Sequence, residues 1–149
     1  MFETSNKIRQ KDLEELAAHS IFDEFKSKTI MVTGATGLIG SEIVLGLLCA
    51  NRLKNLDIKV VAMVRNKAKS KKVFQNVLNN PHLEIIVQDV NMPVQTSVKA
   101  DFVIHAASIT ASKEIISKPV EAAQTTILGI LNILEYARIH KAVSYTHLR

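Results

Sequence analysis

At 149 residues, 47% apolar and 22% charged, the chain has material for one globular domain with its own core and too little length for two. The net charge of +5 raises a nucleic-acid reading, yet five basic residues cluster in "RNKAKSKK" (65–72) and aromatics are only 5%, so the block reads as a solvated face without a stacking platform. A single cysteine excludes an internal disulfide and fits a reducing cytosol, and the longest apolar run, "LIGSEIVLGLLCA", is broken by Ser41 and Glu42 before it reaches membrane-spanning length.

Residues 1–27 open with no secretory apolar core, so a cytoplasmic location is expected. They carry an amphipathic segment, "KDLEELAAHSIFDEF", expected as a helical extension packed outside the domain and given no chemistry. "KTIMVT" (28–33) is a first strand, followed by a glycine turn and a helical pattern over 38–52 with Ile39, Ile43, Leu47 and Ala50 in register. Cys49 lies inside that run and reads as a buried structural thiol. "IKVVAMV" (58–64) is a second strand, apolar nearly throughout because both sheet faces are covered. "AKSKKVFQNVLNN" follows as a helix expected to stop at Asn80-Pro81. "LEIIVQDV" (83–90) and "DFVIHAA" (101–107) are two further strands. Pro119 starts a long helix with Val120, Ala123, Ile127, Ile130 or Leu131, and Leu134 along one apolar face, and "KAV" (141–143) begins a last strand.

Strands alternating with helices imply right-handed crossovers and a doubly wound parallel α/β sheet in the order 3-2-1-4. Ligands in such sheets bind beyond the carboxyl ends of the strands that flank the switch point. Here the glycine turn after strand one and "HAAS" after strand four meet at that point.

The turn itself, "MVTGATGLIGSEIV" (31–44), suits a phosphate. Backbone N–H groups must face the anion, unobstructed, at the positive end of a helix. Gly34 permits the tight turn, Gly37 lets a pyrophosphate approach, and Gly40 lets the helix pack close to the strand. Thr36, Leu38 and Ile39 complete the candidate cradle. The G-x-x-G-x-x-G spacing is one residue longer at the front than the usual dinucleotide fingerprint, and a triphosphate loop is excluded because Gly40 precedes Ser41 directly, with no lysine between.

"TGATGLIG" (33–40), "DV" (89–90), "DFVIHAAS" (101–108) and "GILNILEYAR" (129–138) together resemble the extended short-chain dehydrogenase/reductase superfamily, and within it the NAD-dependent epimerase/dehydratase family. The resemblance runs from residue 28 to about 142 and implies a Rossmann fold truncated near strand five. It implies that Asp89 and Val90 contact adenine and that Ala106, Ala107 and Ser108 line the nicotinamide half of the cofactor. Two positions depart from the family pattern: Thr126 stands for its usual asparagine and Ile130 for its threonine, which weakens hydrogen bonding expected from the long helix.

The choice between NAD and NADP turns on the end of strand two. An acidic residue there would hold the ribose hydroxyls of NAD, but the strand ends "MVRN" and Asp57 sits at the opposite end. Arg65, helped by Lys67, suits a 2′-phosphate, which tips the balance to NADP; in the competing reading Arg65 is a surface cation and Asn66 touches the ribose. His105, beside the crevice, is read as a packing and positioning residue, His19, His82 and His140 as structural residues standing alone on helix or loop surfaces, and no metal site is expected.

The resemblance also implies a tyrosine with a lysine four residues on, and a serine or threonine, on strand five and the helix after it. The chain stops at strand five. Ser144, Tyr145 and Arg149 in "VSYTHLR" imitate that group, but the serine and tyrosine are adjacent and arginine is a poor substitute for lysine. This stretch resembles the translation of a transposon-derived sequencing adapter, so 143–149 is expected to be read-through and 28–142 the incomplete binding domain. No catalytic residue is assigned. Three readings stay open: part of a nucleotide-sugar epimerase, dehydratase or decarboxylase, homodimeric or not; a dinucleotide-sensing regulator; or an NADPH-dependent ketone or aldehyde reductase. With strand five missing, "DFVIH" would be an exposed apolar edge that favours association.

Overall fold

A computed structural model describes residues 2–108 and 112–146. Its elements are α1 (Lys7–Ala17), a 3-10 turn (Ser20–Phe25), β1 (Thr29–Thr33), α2 (Leu38–Lys54), β2 (Lys59–Val64), α3 (Lys67–Val73), β3 (Leu83–Val87), β4 (Phe102–His105), α4 (Ser112–Ser117), α5 (Pro119–His140) and β5 (Val143–Thr146). The strands form one sheet in the order β3-β2-β1-β4-β5, with every neighbouring pair parallel. Thr33 pairs in register with Met63 on one side and His105 on the other, so β1, β2 and β4 end level with one another beside the glycine turn.

Side-chain alternation along β1 and β2 sends residues to two separate cores. Ile30, Val32, Val60, Ala62 and Val64 pack with α1 and α2, whereas Met31, Val61 and Met63 pack with Val103, Ile133 and Tyr136. Helices therefore cover both faces, as the near-continuous apolar strands require.

The N-terminal segment is part of the first core rather than an appendage, since Leu13, Ala17 and Phe22 belong to it. Asn6 starts α1 by accepting the N–H groups of Ile8 and Arg9 at 3.0 and 3.2 Å. Against α2, Arg52 donates to both oxygens of Glu3 at 3.0 and 3.2 Å and to Glu14 Oε1 at 2.7 Å, while its guanidinium lies 5.2 Å over the Phe2 ring. Gln10 adds donors to Glu3 and Glu14 at 2.8 and 3.0 Å, and Arg9 pairs with Glu42 at 2.6 Å. Burial pushes the Glu3 carboxyl up, but hydrogen bonds from Arg52 and Gln10 outweigh it and hold the group below the ordinary carboxylate value. At the far end of α2, the buried Asn51 carboxamide bonds both the N–H and the C=O of Ile58, fixing the entry to β2.

Four elements differ from the sequence expectation. The helix after β2 ends at Val73, and residues 74–80 continue as turns closed by Val77 N to Phe74 O and Asn80 N to Val77 O at 2.8 and 2.9 Å. Phe74, fully buried, anchors that turn in the core, and the β-branched, aromatic and asparagine residues around it sustain a helix poorly. On α5, the apolar stripe of Val120, Ile127, Leu131 and Leu134 faces solvent, and the buried face is Ala122, Thr125, Gly129, Ile133, Tyr136 and Ala137. Ile39 is likewise exposed, because α2 buries Val44, Leu45, Leu47 and Leu48 between sheet and α1. Finally, β4 is not an edge: β5 pairs with it along Phe102–His105. The side chains of Ser144 and Tyr145, and all of Arg149, lie outside the described residues.

Candidate functional site

The glycine turn owes its shape to crowding. Gly34 sits at φ 62°, and a Cβ there would stand 2.7 Å from the carbonyl carbon and oxygen of Ala106 and from Ala107 Cα. A Cβ on Gly37 would lie 3.1 Å from Gly34 O, and one on Gly40 closer still to that oxygen. The amide of Gly37 closes the turn onto Gly34 O at 2.8 Å. The first amides of α2, Leu38 to Gly40, are then left without helical acceptors, and the capping Gly37 has no side chain to satisfy them. This is a cradle that side chains would fill, and it fits an anionic diphosphate.

Around it opens a crevice of about 320 Å³. Of the predicted residues, Gly34, Thr36, Gly37, Arg65, Asp89, Val90, Ala106, Ala107 and Ser108 line it together. Leu38, Ile39 and Gly40 do not; Leu38 is 86% exposed on the outside of the helix start, and Gly40 is buried under the turn. Five further lining residues, Met63, Asn66, Lys69, Gln88 and Thr125, were not predicted as contacts with phosphate, base or nicotinamide. Lys69 replaces Lys67 as the cation beside Arg65, because a residue three places after the cap Asn66 returns to its face of α3. Asn66 spends its side-chain oxygen on that cap, accepting Lys69 N–H at 2.9 Å.

The loop after β3 is tied internally. Asp89 Oδ1 accepts the Asn91 N–H at 2.9 Å, and the Gln88 carboxamide donates to Met92 O and Pro93 O at 3.3 and 2.8 Å and accepts from Gln95 N at 3.0 Å. From α5, Asn132 donates to Val90 O at 2.8 Å and Asn91 donates to Thr125 Oγ1 at 3.3 Å. Thr126, flagged as a departure, turns away and donates to Ala122 O at 3.0 Å within its own helix. No spacing rule would have marked Thr125; its signal appears only once the loop is folded onto the helix.

Behind the crevice, the Thr33 hydroxyl lies 2.7 Å from His105 Nδ1 and accepts the Ala107 N–H at 3.3 Å. Burial holds the imidazole below its usual pKa, and the ring packs 5% exposed at the end of β4. Burial likewise pushes the Cys49 thiol up to about 12, which removes it as a nucleophile. Among the described residues no three His, Cys, Asp or Glu side chains converge as a metal site, and no helix is long and apolar enough to cross a membrane.

Known proteins are similar to this chain in sequence and in fold. UDP-glucose 4-epimerase from Rickettsia bellii (strain OSU 85-389) is 32% identical over 120 residues, which cover 78% of this chain and 35% of that protein. The Bordetella bronchiseptica enzyme WbmF, solved in complex with NAD+ and UDP, superposes with a TM-score of 0.64 at 19% identity, over 83% of this chain and 36% of that one. UDP-N-acetylglucosamine 4-epimerase from Methanobrevibacter ruminantium M1, in complex with UDP-N-acetylmuramic acid, gives a TM-score of 0.60 at 24% identity, over 78% and 36% of the two chains. The chain thus spans about a third of the length of the relatives it matches. The model of the NAD dependent epimerase/dehydratase family matches residues 30–148, and with the glycine turn, the Asp89-Val90 loop and the Ala106–Ser108 segment gathered on one parallel sheet, the chain belongs to that family.

Proposed function

We propose that the chain binds a nicotinamide dinucleotide across the crevice, pyrophosphate on the Gly34–Gly40 turn, adenine against Asp89 and Val90, and nicotinamide toward Ala106, Ala107 and Ser108. One observation carries this reading: three segments distant in sequence converge at the sheet's switch point, around a ledge that admits no side chains. The longer protein is read as a nucleotide-sugar epimerase or dehydratase. The bound dinucleotide supplies a reversible oxidant for a sugar carbon and is regenerated within the cycle. This chain's own residues bind and orient it. They do not move a proton at the sugar, since Tyr136 is followed four residues on by His140 and Tyr145 by Arg149, and neither makes a Tyr-x-x-x-Lys pair. Binding without turnover is therefore expected of residues 1–149, in the cytoplasm. The exposed apolar stripe of α5 supports a homodimeric parent.

Titration calorimetry of the chain with NAD and NADP tests the reading. Saturable binding of either is expected, and no heat and no thermal protection from both would overturn it. Arg65 and Lys69 favour NADP, and with it a second reading, an NADPH-dependent reductase, which net NADPH consumption by the longer protein would single out. Replacing both cations by alanine is expected to weaken NADP about tenfold or more while leaving NAD within about twofold.

A further inference from the structure

Beside the apolar Ala122, Ile133 and Ala137, the inward face of α5 carries a second stripe that is largely polar. Thr125, Gly129, Asn132 and Tyr136 recur at i, i+4, i+7 and i+11, so one stripe of the helix carries all four. Each meets the 88–101 connection: Thr125 accepts from Asn91, Gly129 lets Val90 approach so closely that a Cβ would come within 3.1 Å of it, Asn132 donates to Val90 O, and the Tyr136 hydroxyl donates to Val98 O at 2.7 Å and accepts from Ala100 N at 3.0 Å. A connection of this length has no ladder of its own to satisfy its backbone. The helix supplies partners at Val90, Val98 and Ala100, where the ties within the connection do not reach.

We infer that Asn132 is a positioning residue for the base end of the crevice, setting the Asp89–Val90 turn through the Val90 carbonyl. Asn132 does not line the crevice, whereas the turn it holds does. The bond bridges 42 residues and ties the turn directly to α5. Tyr136 anchors the same connection at its other end, away from the crevice, and provides the internal comparison.

This inference rests on the dinucleotide reading, and the test keeps the two apart. ADP, the part of the ligand that reaches the Asp89–Val90 turn, is titrated calorimetrically into the full chain, into Asn132→Asp and into Tyr136→Phe, with urea midpoints recorded for each. Asn132→Asp keeps the shape, removes the N–H donor and sets a carboxylate against the carbonyl. It is expected to weaken ADP about tenfold. Tyr136→Phe is expected to lower the urea midpoint and leave ADP affinity within about twofold, a split that loss of general stability would not produce. Should Asn132→Asp fail to fold, Asn132→Ser, too short to reach Val90 and uncharged, is expected to give the same loss. Unchanged ADP affinity in a folded Asn132 variant, or an equal loss in Tyr136→Phe, overturns the assignment. A parent chain that binds no ADP, NAD or NADP overturns the dinucleotide reading beneath it.

Discussion

The three glycines of the turn do different work, and substitution separates them. Gly34→Ala forces a left-handed backbone angle on a residue with a Cβ and drives that Cβ into the Ala106–Ala107 backbone. Gly40→Ala pushes the start of α2 off the turn. Each is expected to cost about 1–3 kcal/mol of stability and to abolish nucleotide binding. Gly37→Ala meets only one oxygen at 3.1 Å, at an ordinary φ of −77°, so its urea midpoint is expected to stay near that of the parent while NAD and NADP affinity falls. Parallel loss of stability and binding at all three positions would show that the ledge is a structural turn and no more. The crowding at Gly34 and Gly40 was legible from residue type and spacing, because only glycine meets such demands. Lys69 was not: its membership depends on where α3 begins, and that is fixed by the Asn66 cap.

At the level of elements, α1 and the residues before it brace α2 along its length, from Glu42 in the first turns to Arg52 near the end. Glu3, 4% exposed, loses its counter-ion in Arg52→Ala. The expected cost is about 2–3 kcal/mol, discounted from the fully buried case because Arg52 itself reaches solvent. The same variant uncovers the Cys49 side of α2, so a thiol reagent is expected to label Cys49 faster than in the parent. Because the folded Glu3 carboxyl lies below its ordinary value of 4.5, the stabilisation it brings is fully present above that value and is lost as the pH falls through the lower folded value. Urea midpoints taken from neutral to acid pH are therefore expected to fall less steeply in Arg52→Ala. A parallel pair of curves would place the brace outside the energetics of the fold. The sequence announced an amphipathic N-terminal helix but not this brace, since Glu3 and Arg52 are 49 residues apart. The reading of α5 erred in orientation for a related reason. Hydrophobic periodicity finds apolar partners, whereas the inward face of this helix meets backbone amides and carbonyls.

For the molecule as a whole, the order of the first four strands followed from the alternation of patterns and the crossover rule, and it stands in the structure. The expected source of association does not. β5 covers β4, and an apolar surface lies instead on the α4–α5 side, with Ile116, Val120, Ile127 and Leu131 exposed. Residues 1–149 are expected to self-associate at micromolar concentration, and Ile127→Asp with Leu131→Asp to shift them toward monomer in sedimentation velocity. An identical sedimentation profile for the two proteins would clear that surface. The tethering of the 88–101 connection also has a temporal side. Its last anchors are Asn132 and Tyr136, so on the ribosome the glycine turn and the first three strands emerge well before the 88–101 connection can settle. Until the far end of α5 has been made, the backbone of that connection lacks the two side chains that tie it down.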